Sequence, residues 1–205
     1  FQSAGHTGLN QGAMRLMRTG LIVSAVLAAL AGAPSVSRAQ PVPVIVPRAG
    51  LVITQSVKVR PGVYRLRASA SPDSALLTVR GDDLTVDLRG VTFIGSPIDS
   101  APDAGQGTAV RIDGGRRVRV RGLTARGYRV GILARGTRAL TLDGNDLSYG
   151  WKPRLFSTVA HESLNDWLSY HKNEQDEWLR FGAGMYLSRV TGGTLRGNTV
   201  RQSMN

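Results

Sequence analysis

The chain has 205 residues, 41% of them hydrophobic, enough to bury a core in one or two domains. Its 25 glycines exceed the ordinary share of about 7%, and the lack of cysteine excludes a disulfide scaffold, a Cys-ligated metal and a thiol nucleophile. A net charge of +12 invites a nucleic-acid reading that the placement of the charges must support.

Residues 1–13 precede the first Met and are expected to be an upstream, non-native segment. Residues 14–39 have the order of a secretory leader: Arg15 and Arg18, an apolar run from Leu21 to Leu30, then Ser37-Arg38-Ala39 with small residues flanking a cleavage point before Gln40. The run is too short for a spanning helix, and an uncleaved anchor is the weaker reading of it. A secreted or periplasmic mature protein with no membrane span is therefore expected. Removing the leader takes three arginines and no acid, which lowers the net charge from +12 to +9. Export and this loss both argue against nucleic acid as the partner.

Residues 40–50, with Pro41, Pro43 and Pro47, read as a linker into a domain over 51–205. The spacing of Ile53, Val57, Val59, Pro61-Gly62, Tyr64 and Leu66 suits an entry coil. Beyond it the chain repeats itself, and fixed-period self-similarity takes precedence over single-element assignments. With Val86, Val120, Leu142 and Leu195 as anchors, Leu84, Val118, Leu140 and Gly193 stand two residues before. Leu76, Val110, Ile132 and Met185 stand ten before; Thr78, Ile112, Ala134 and Leu187 stand eight before. Five after come Ala125, Leu147 and Val200, and Phe93 is their equivalent in the first segment, displaced by two residues.

Each segment holds three short runs of period-2 alternation, separated by turns such as Gly81-Asp82-Asp83, Gly122, Gly136 and Gly144-Asn145. Three strands in about 22 residues predict an all-β, right-handed parallel β-helix rising about 4.8 Å per coil. An antiparallel sandwich has no reason to keep these offsets. Asn145 and Asn198 are equivalent, and stacked Asn side chains there would satisfy turn backbone groups.

On these residues the chain resembles the bacterial secreted right-handed β-helix repeat proteins of the pectin-lyase-like superfamily, over about residues 50–205. The resemblance implies the fold; the superfamily includes lyases, hydrolases, epimerases and non-catalytic proteins. The paired-Asp and Gly-His-Gly pattern of polygalacturonases, the Arg-x-Pro-x-x-Arg of pectate lyases and the Asp-Pro-His of alginate epimerases are missing. Ending at Asn205 leaves an unpaired strand edge, so the sequence reads as the N-terminal piece of a longer protein.

Departures from the 22-residue period locate the site. Anchor spacings of 34, 22 and 53 put two extra residues at Leu88-Arg89, a loop around 96–107 and an insertion over 151–183. Both long excursions follow the third strand and leave through the same turn, about 10 Å apart, on the face where such scaffolds carry function. From Tyr149 to Tyr186 stand eight of the twelve aromatics, and residues 151–183 carry five acids against four bases.

Ser163-Leu164-Asn165-Asp166 reads as a capping box and Asn173 as a second N-cap, predicting two short helices. Asp166 and Tyr170 then share a face, joined by Glu174 with His171 beside it if the helix runs on. These four are the catalytic candidates for proton abstraction and return, and no metal site is assigned. His171 and Glu174 are alternatively two ligands for a divalent cation such as calcium, or members of a solvated acidic face. Trp167, Tyr170 and Trp178 would stack on sugar rings or pin the insertion to the coils. Arg119 and Arg121 alternate with inward Val118 and Val120, and with Arg180 they are candidates for binding an acidic polymer.

The expected function is action on, or binding of, an acidic polysaccharide, through a uronate lyase, epimerase or hydrolase activity. The alternative is a non-catalytic periplasmic or surface β-helix binding module. A copper-maturation role lacks ligands, and a stalk would have monotonous coils without the aromatic insertion.

Overall fold

A computed structural model describes residues 41–71, 74–97, 99–166 and 182–203 of the chain. These residues form an all-β architecture of parallel strands in two sheets, with almost no helix. The expected leader lies outside the described residues. No helix among the described residues is long and apolar enough to cross a membrane.

Entry strands β1 (Val44–Ile45), β2 (Leu51–Ile53), β3 (Val57–Val59) and β4 (Gly62–Arg65) begin the two sheets. From β5 (Ala75–Val79) the chain alternates between them. Strands β7 (Thr108–Asp113), β9 (Val130–Arg135) and β11 (Ala183–Ser188) join β5 in a sheet ordered β2-β5-β7-β9-β11. Strands β6 (Thr85–Ile94), β8 (Arg119–Arg126), β10 (Thr141–Asp143) and β12 (Thr194–Arg196) extend the other, ordered β1-β3-β6-β8-β10-β12, with β4 also paired to β6.

The four anchors lie in one column, Val86 on Val120 on Leu142 on Leu195. Phe93 pairs with Ala125, and the Leu88-Arg89 insertion is an irregularity between Asp87 and Val91, where β8 advances two residues and β6 four. The bulge folds over Gly122, whose absent Cβ would lie 2.4 Å from Arg89 Cγ. Leu88 is fully buried in the core, whereas Arg89 turns back onto Asp87.

Two details differ from the sequence reading. The residues that pair with Val110 and Ile112 are Leu77 and Val79, one place beyond Leu76 and Thr78. The turn before Val86 is one residue shorter than its counterparts, and both Leu76 and Leu77 are apolar, so periodicity could not choose between them. In addition, the second and third runs join: β6 and β8 each continue through the glycine at the bend. Gly122, at φ 71°, bends the backbone inside β8, and Gly144 and Gly197 repeat the conformation at φ 62° and 60° just past the ends of β10 and β12.

Beside that bend Asn145 spans the gap between repeats. Its Oδ1 accepts from the Leu123 amide at 3.0 Å, and its Nδ2 donates to the Val120 carbonyl at 3.3 Å and to Asn198 Oδ1 at 2.9 Å. Asn198 does the same one repeat on, accepting from the Asn145 amide at 3.0 Å and donating to the Leu142 carbonyl at 2.9 Å. The inward columns bury Val86, Val120, Leu142 and Ile112 completely. Tyr64 packs on this core with its ring centroid 6.1 Å from that of Phe93.

Leu123 occupies the position of Asn145 one repeat earlier, so Leu fits the column sterically. The substitution Asn145→Leu is expected to destabilise the fold by roughly 2–4 kcal/mol, because it strands the buried Leu123 amide and Val120 carbonyl. Urea unfolding measures this, and an unchanged midpoint would mean those groups find other partners.

Candidate functional site

Both long excursions are fastened at their base by one aromatic residue. Tyr128 is 1% exposed, and its hydroxyl donates to the Leu66 carbonyl at 2.6 Å. Burial pushes its phenol well above the ordinary value, so it stays a neutral donor. Gly95 opens the first excursion with so little room that a Cβ there would sit 2.7 Å from the Gly127 carbonyl and 2.9 Å from the Tyr128 ring. Ser96 Oγ donates to the Ala104 carbonyl at 3.1 Å and closes the loop on itself.

The second excursion starts at Trp151, whose amide donates to the Tyr128 carbonyl at 3.0 Å. Its indole is 8% exposed, with the Arg129 guanidinium 5.3 Å from the ring centroid, and Gly182 returns the chain against it. The two excursions meet directly: the Lys152 amide donates to the Pro102 carbonyl at 2.9 Å, and Arg154 pairs with Asp103 at 3.1 Å.

A cavity of about 390 Å³ lies between the first excursion and the ends of the strands. That volume is at the lower end of the roughly 300–1,000 Å³ of small-ligand sites. Arg65, Arg126 and Lys152 bring cationic side chains to its lining, Ile94 and Pro102 bring apolar surface, and no described lining residue is acidic. Tyr149 contributes a half-exposed ring, 5.2 Å from the Arg126 guanidinium. Arg126 also pairs loosely with Asp146 at 3.6 Å, while its buried Nε has no hydrogen-bond partner. Burial raises the Asp146 carboxyl, but bonds from Ser148 and the Arg126 charge outweigh it and hold the group below the ordinary carboxylate range. Lys152 Nζ donates to Gln202 Oε1 at 2.6 Å across the mouth.

Gly127, Tyr149 and Gln202 each stand seven residues after an anchor, with φ of 70°, 58° and 51°, and all three line the cavity. For Tyr and Gln this left-handed conformation costs roughly 1–2 kcal/mol, a cost also met at Asp83, Arg117, Ala139 and Arg189 elsewhere in the repeat.

Of the candidates read from sequence, Asp166 lies in a 3₁₀ turn, Leu164–Asp166. Its carboxylate accepts from the Phe156 and Ser157 amides, and the Ser163 amide donates to Ser157 Oγ. Hydrogen bonds from Ser157 and Phe156 hold this carboxyl below its usual range. Trp167, Tyr170, His171, Glu174, Trp178 and Arg180, with the second helix expected from Asn173, lie outside the described residues. Arg121 is engaged: its Nη2 donates to Asp87 at 2.9 Å. Arg119 stands exposed between Thr85 and Thr141. No group of three or more His, Asp or Glu able to hold a metal occurs among the described residues.

Arg65, Arg126, Tyr149 and Lys152 were not singled out by the sequence as a site. The available signal was the seventh position after each anchor, glycine in one repeat and polar or aromatic in the next two. No family model, curated protein or solved structure matches the chain.

Two measurements check this geometry. Gly95→Ala is expected to cost about 1–3 kcal/mol by overpacking Tyr128, lowering the thermal midpoint; unchanged stability would show that the loop base yields. The second concerns Asp87. The Arg89 guanidinium bonds to it and, against burial, holds its carboxyl well below the ordinary range, with the Arg89 amide and Arg121 adding to the effect. A lowered folded-state pKa contributes stability that is complete above the unfolded value of about 3.9 and declines as pH falls below it. Asp87→Asn is therefore expected to destabilise the protein at pH 7 and to flatten the acid limb of its stability profile below about pH 4. Equal acid sensitivity in both proteins would remove Asp87 as its source.

Proposed function

We propose that the chain is an exported right-handed parallel β-helix protein, akin to the pectin-lyase-like repeat proteins, that binds an acidic polysaccharide. The observation that carries this reading is the cavity lined by Arg65, Arg126, Lys152 and Tyr149, with no acidic residue among its described lining. A guanidinium matches a carboxylate through paired N–H donors, and Arg126 keeps a buried Nε without a partner. An aromatic ring with one exposed face suits the apolar side of a pyranose. Sugar acids presented at intervals along a polymer would meet the cations in turn, and the half-exposed ring between them orients one unit.

Turnover is the second reading, favoured by the second excursion leaving at Lys152 and returning at Gly182 beside Trp151. Asp166, Tyr170, His171 and Glu174 belong to the stretch of sequence between those residues. A base there would remove the proton alpha to the uronate carboxylate while a cation stabilises the enolate. Calcium held by His171 and Glu174 would serve the same end.

Titration of the mature protein with polygalacturonate, alginate and neutral dextran separates these ideas. Binding to the acidic polymers alone is expected, weakened about tenfold or more in the Arg126→Gln, Lys152→Gln double variant. Dextran binding of equal strength, or an indifferent double variant, would sink the proposal. Ultraviolet absorbance of unsaturated product that disappears in His171→Ala and Glu174→Ala would move the assignment from binding to elimination.

A further inference from the structure

The first excursion borders two cavities. Beside the one already described lies a second, of about 240 Å³, lined by Arg67, Gln106 and the same Ser96, Pro97 and Ser100 that wall the first. Its volume falls below the roughly 300–1,000 Å³ of independent small-ligand sites, so it has room for one unit of a ligand whose remainder lies elsewhere. The shared wall makes the first cavity the place for that remainder. That wall is built to hold its shape. The Ser100 amide donates to the Pro97 carbonyl at 3.1 Å and the Ala104 amide to the Ala101 carbonyl at 2.9 Å, so two tight turns set the loop. Its return packs on the chain beyond β4, where a Cβ on Gly107 would lie 2.7 Å from Ala68 Cβ.

The two cavities divide a pair of arginines. Arg65 reaches the first and Arg67 the second, and between them Leu66 packs against the core. Both backbone groups of Leu66 are held: its amide donates to the Ile94 carbonyl at 3.0 Å, and its carbonyl accepts from the Tyr128 hydroxyl at 2.6 Å. Two residues span at most about 7 Å, so the two arginine stems leave a fixed backbone close together. Among the described residues no acid pairs with Arg65 or Arg67, whereas Arg80 and Arg117 are each tied to an aspartate. The acids of the loop stay out of both linings: Asp103 is paired with Arg154, and Asp99 is exposed.

We infer that the second cavity is a subsite for the neighbouring carboxylate of the same acidic polysaccharide, with Arg67 as its cation and Ser100 and Gln106 as partners for sugar hydroxyls. This rests on the polysaccharide reading of the first cavity and extends it, since the ligand is then selected by two charged units in succession. Arg67 becomes the residue that distinguishes a run of uronates from uronates isolated among neutral sugars. A single sugar acid fills the first cavity and leaves Arg67 unused.

Calorimetric titration of the full chain with galacturonic acid and its dimer, trimer and tetramer tests this. Affinity is expected to rise about tenfold or more from the single sugar to the shortest oligomer that fills both cavities. In Arg67→Gln the rise is expected to vanish, with the single sugar bound within about twofold of the unsubstituted protein. Arg67→Lys keeps the charge and is expected to keep part of the rise. In Arg126→Gln the single sugar and the oligomers are expected to weaken together. Oligomers that bind Arg67→Gln undiminished while Arg126→Gln weakens them would overturn this inference alone. So would a flat series in the unsubstituted protein, or a loss in Arg67→Gln that is equal for the single sugar. No binding of any of these sugars, or indifference to Arg126→Gln, would bring down the polysaccharide reading as well.

Discussion

In a parallel ladder a strand completes its backbone hydrogen bonds on strands one repeat away, and almost everything else here depends on that requirement. Once Val86, Val120, Leu142 and Leu195 are aligned by the ladder, the side chains before and after them are stacked as well. A residue added in one repeat cannot be absorbed by sliding, because a one-residue slip would turn the inward column outward. It must leave the ladder as a bulge or as an excursion. Leu88-Arg89 takes the first course, and residues 95–107 and 151–182 take the second.

Stacking like on like creates a problem with polar groups, which the chain meets in two ways. Amides stack productively, since an asparagine both donates and accepts, and Asn145 bonds directly to Asn198. Like charges repel when stacked, and one column of the outer face alternates Lys58, Asp87, Arg121, Asp143 and Arg196. Part of the outward basicity is engaged within the fold: Arg80, Arg117 and Arg196 each pair with an aspartate. Exposed pairs of this kind contribute only about 0–1 kcal/mol each. Their larger consequence is electrostatic, since each cancels one positive charge on the outer surface.

The repeat was legible because pleat and period are local properties of a sequence. Val110, Ile132 and Met185 fall into one column as their spacing predicts, and the two surplus residues sit where the count put them. The one-residue difference at Leu76 arises where two adjacent leucines both satisfy an apolar pattern, so that only pairing with Val110 discriminates. The merging of two predicted strands at Gly122 was not legible, because a glycine can end a strand or bend one. Of the site, the positions where chain leaves the ladder were legible, but the cavity itself was not. Arg65 and Arg126 belong to different repeats, and Tyr149 and Lys152 to another, so no local spacing links them.

The sequence by itself determined the period, the inward faces and the points of departure from the ladder, since each follows from alternation and counting along the chain. The tertiary structure decided which outward charges neutralise one another and which remain around a cavity. Those outcomes depend on residues about 22 or more positions apart being set side by side. Arg121 and Arg126 look alike in sequence, both basic residues of β8. Asp87 stands 2.9 Å from the first, whereas the second has Asp146 at 3.6 Å and the Tyr149 ring at 5.2 Å on the cavity lining, so one belongs to the scaffold and the other to the site.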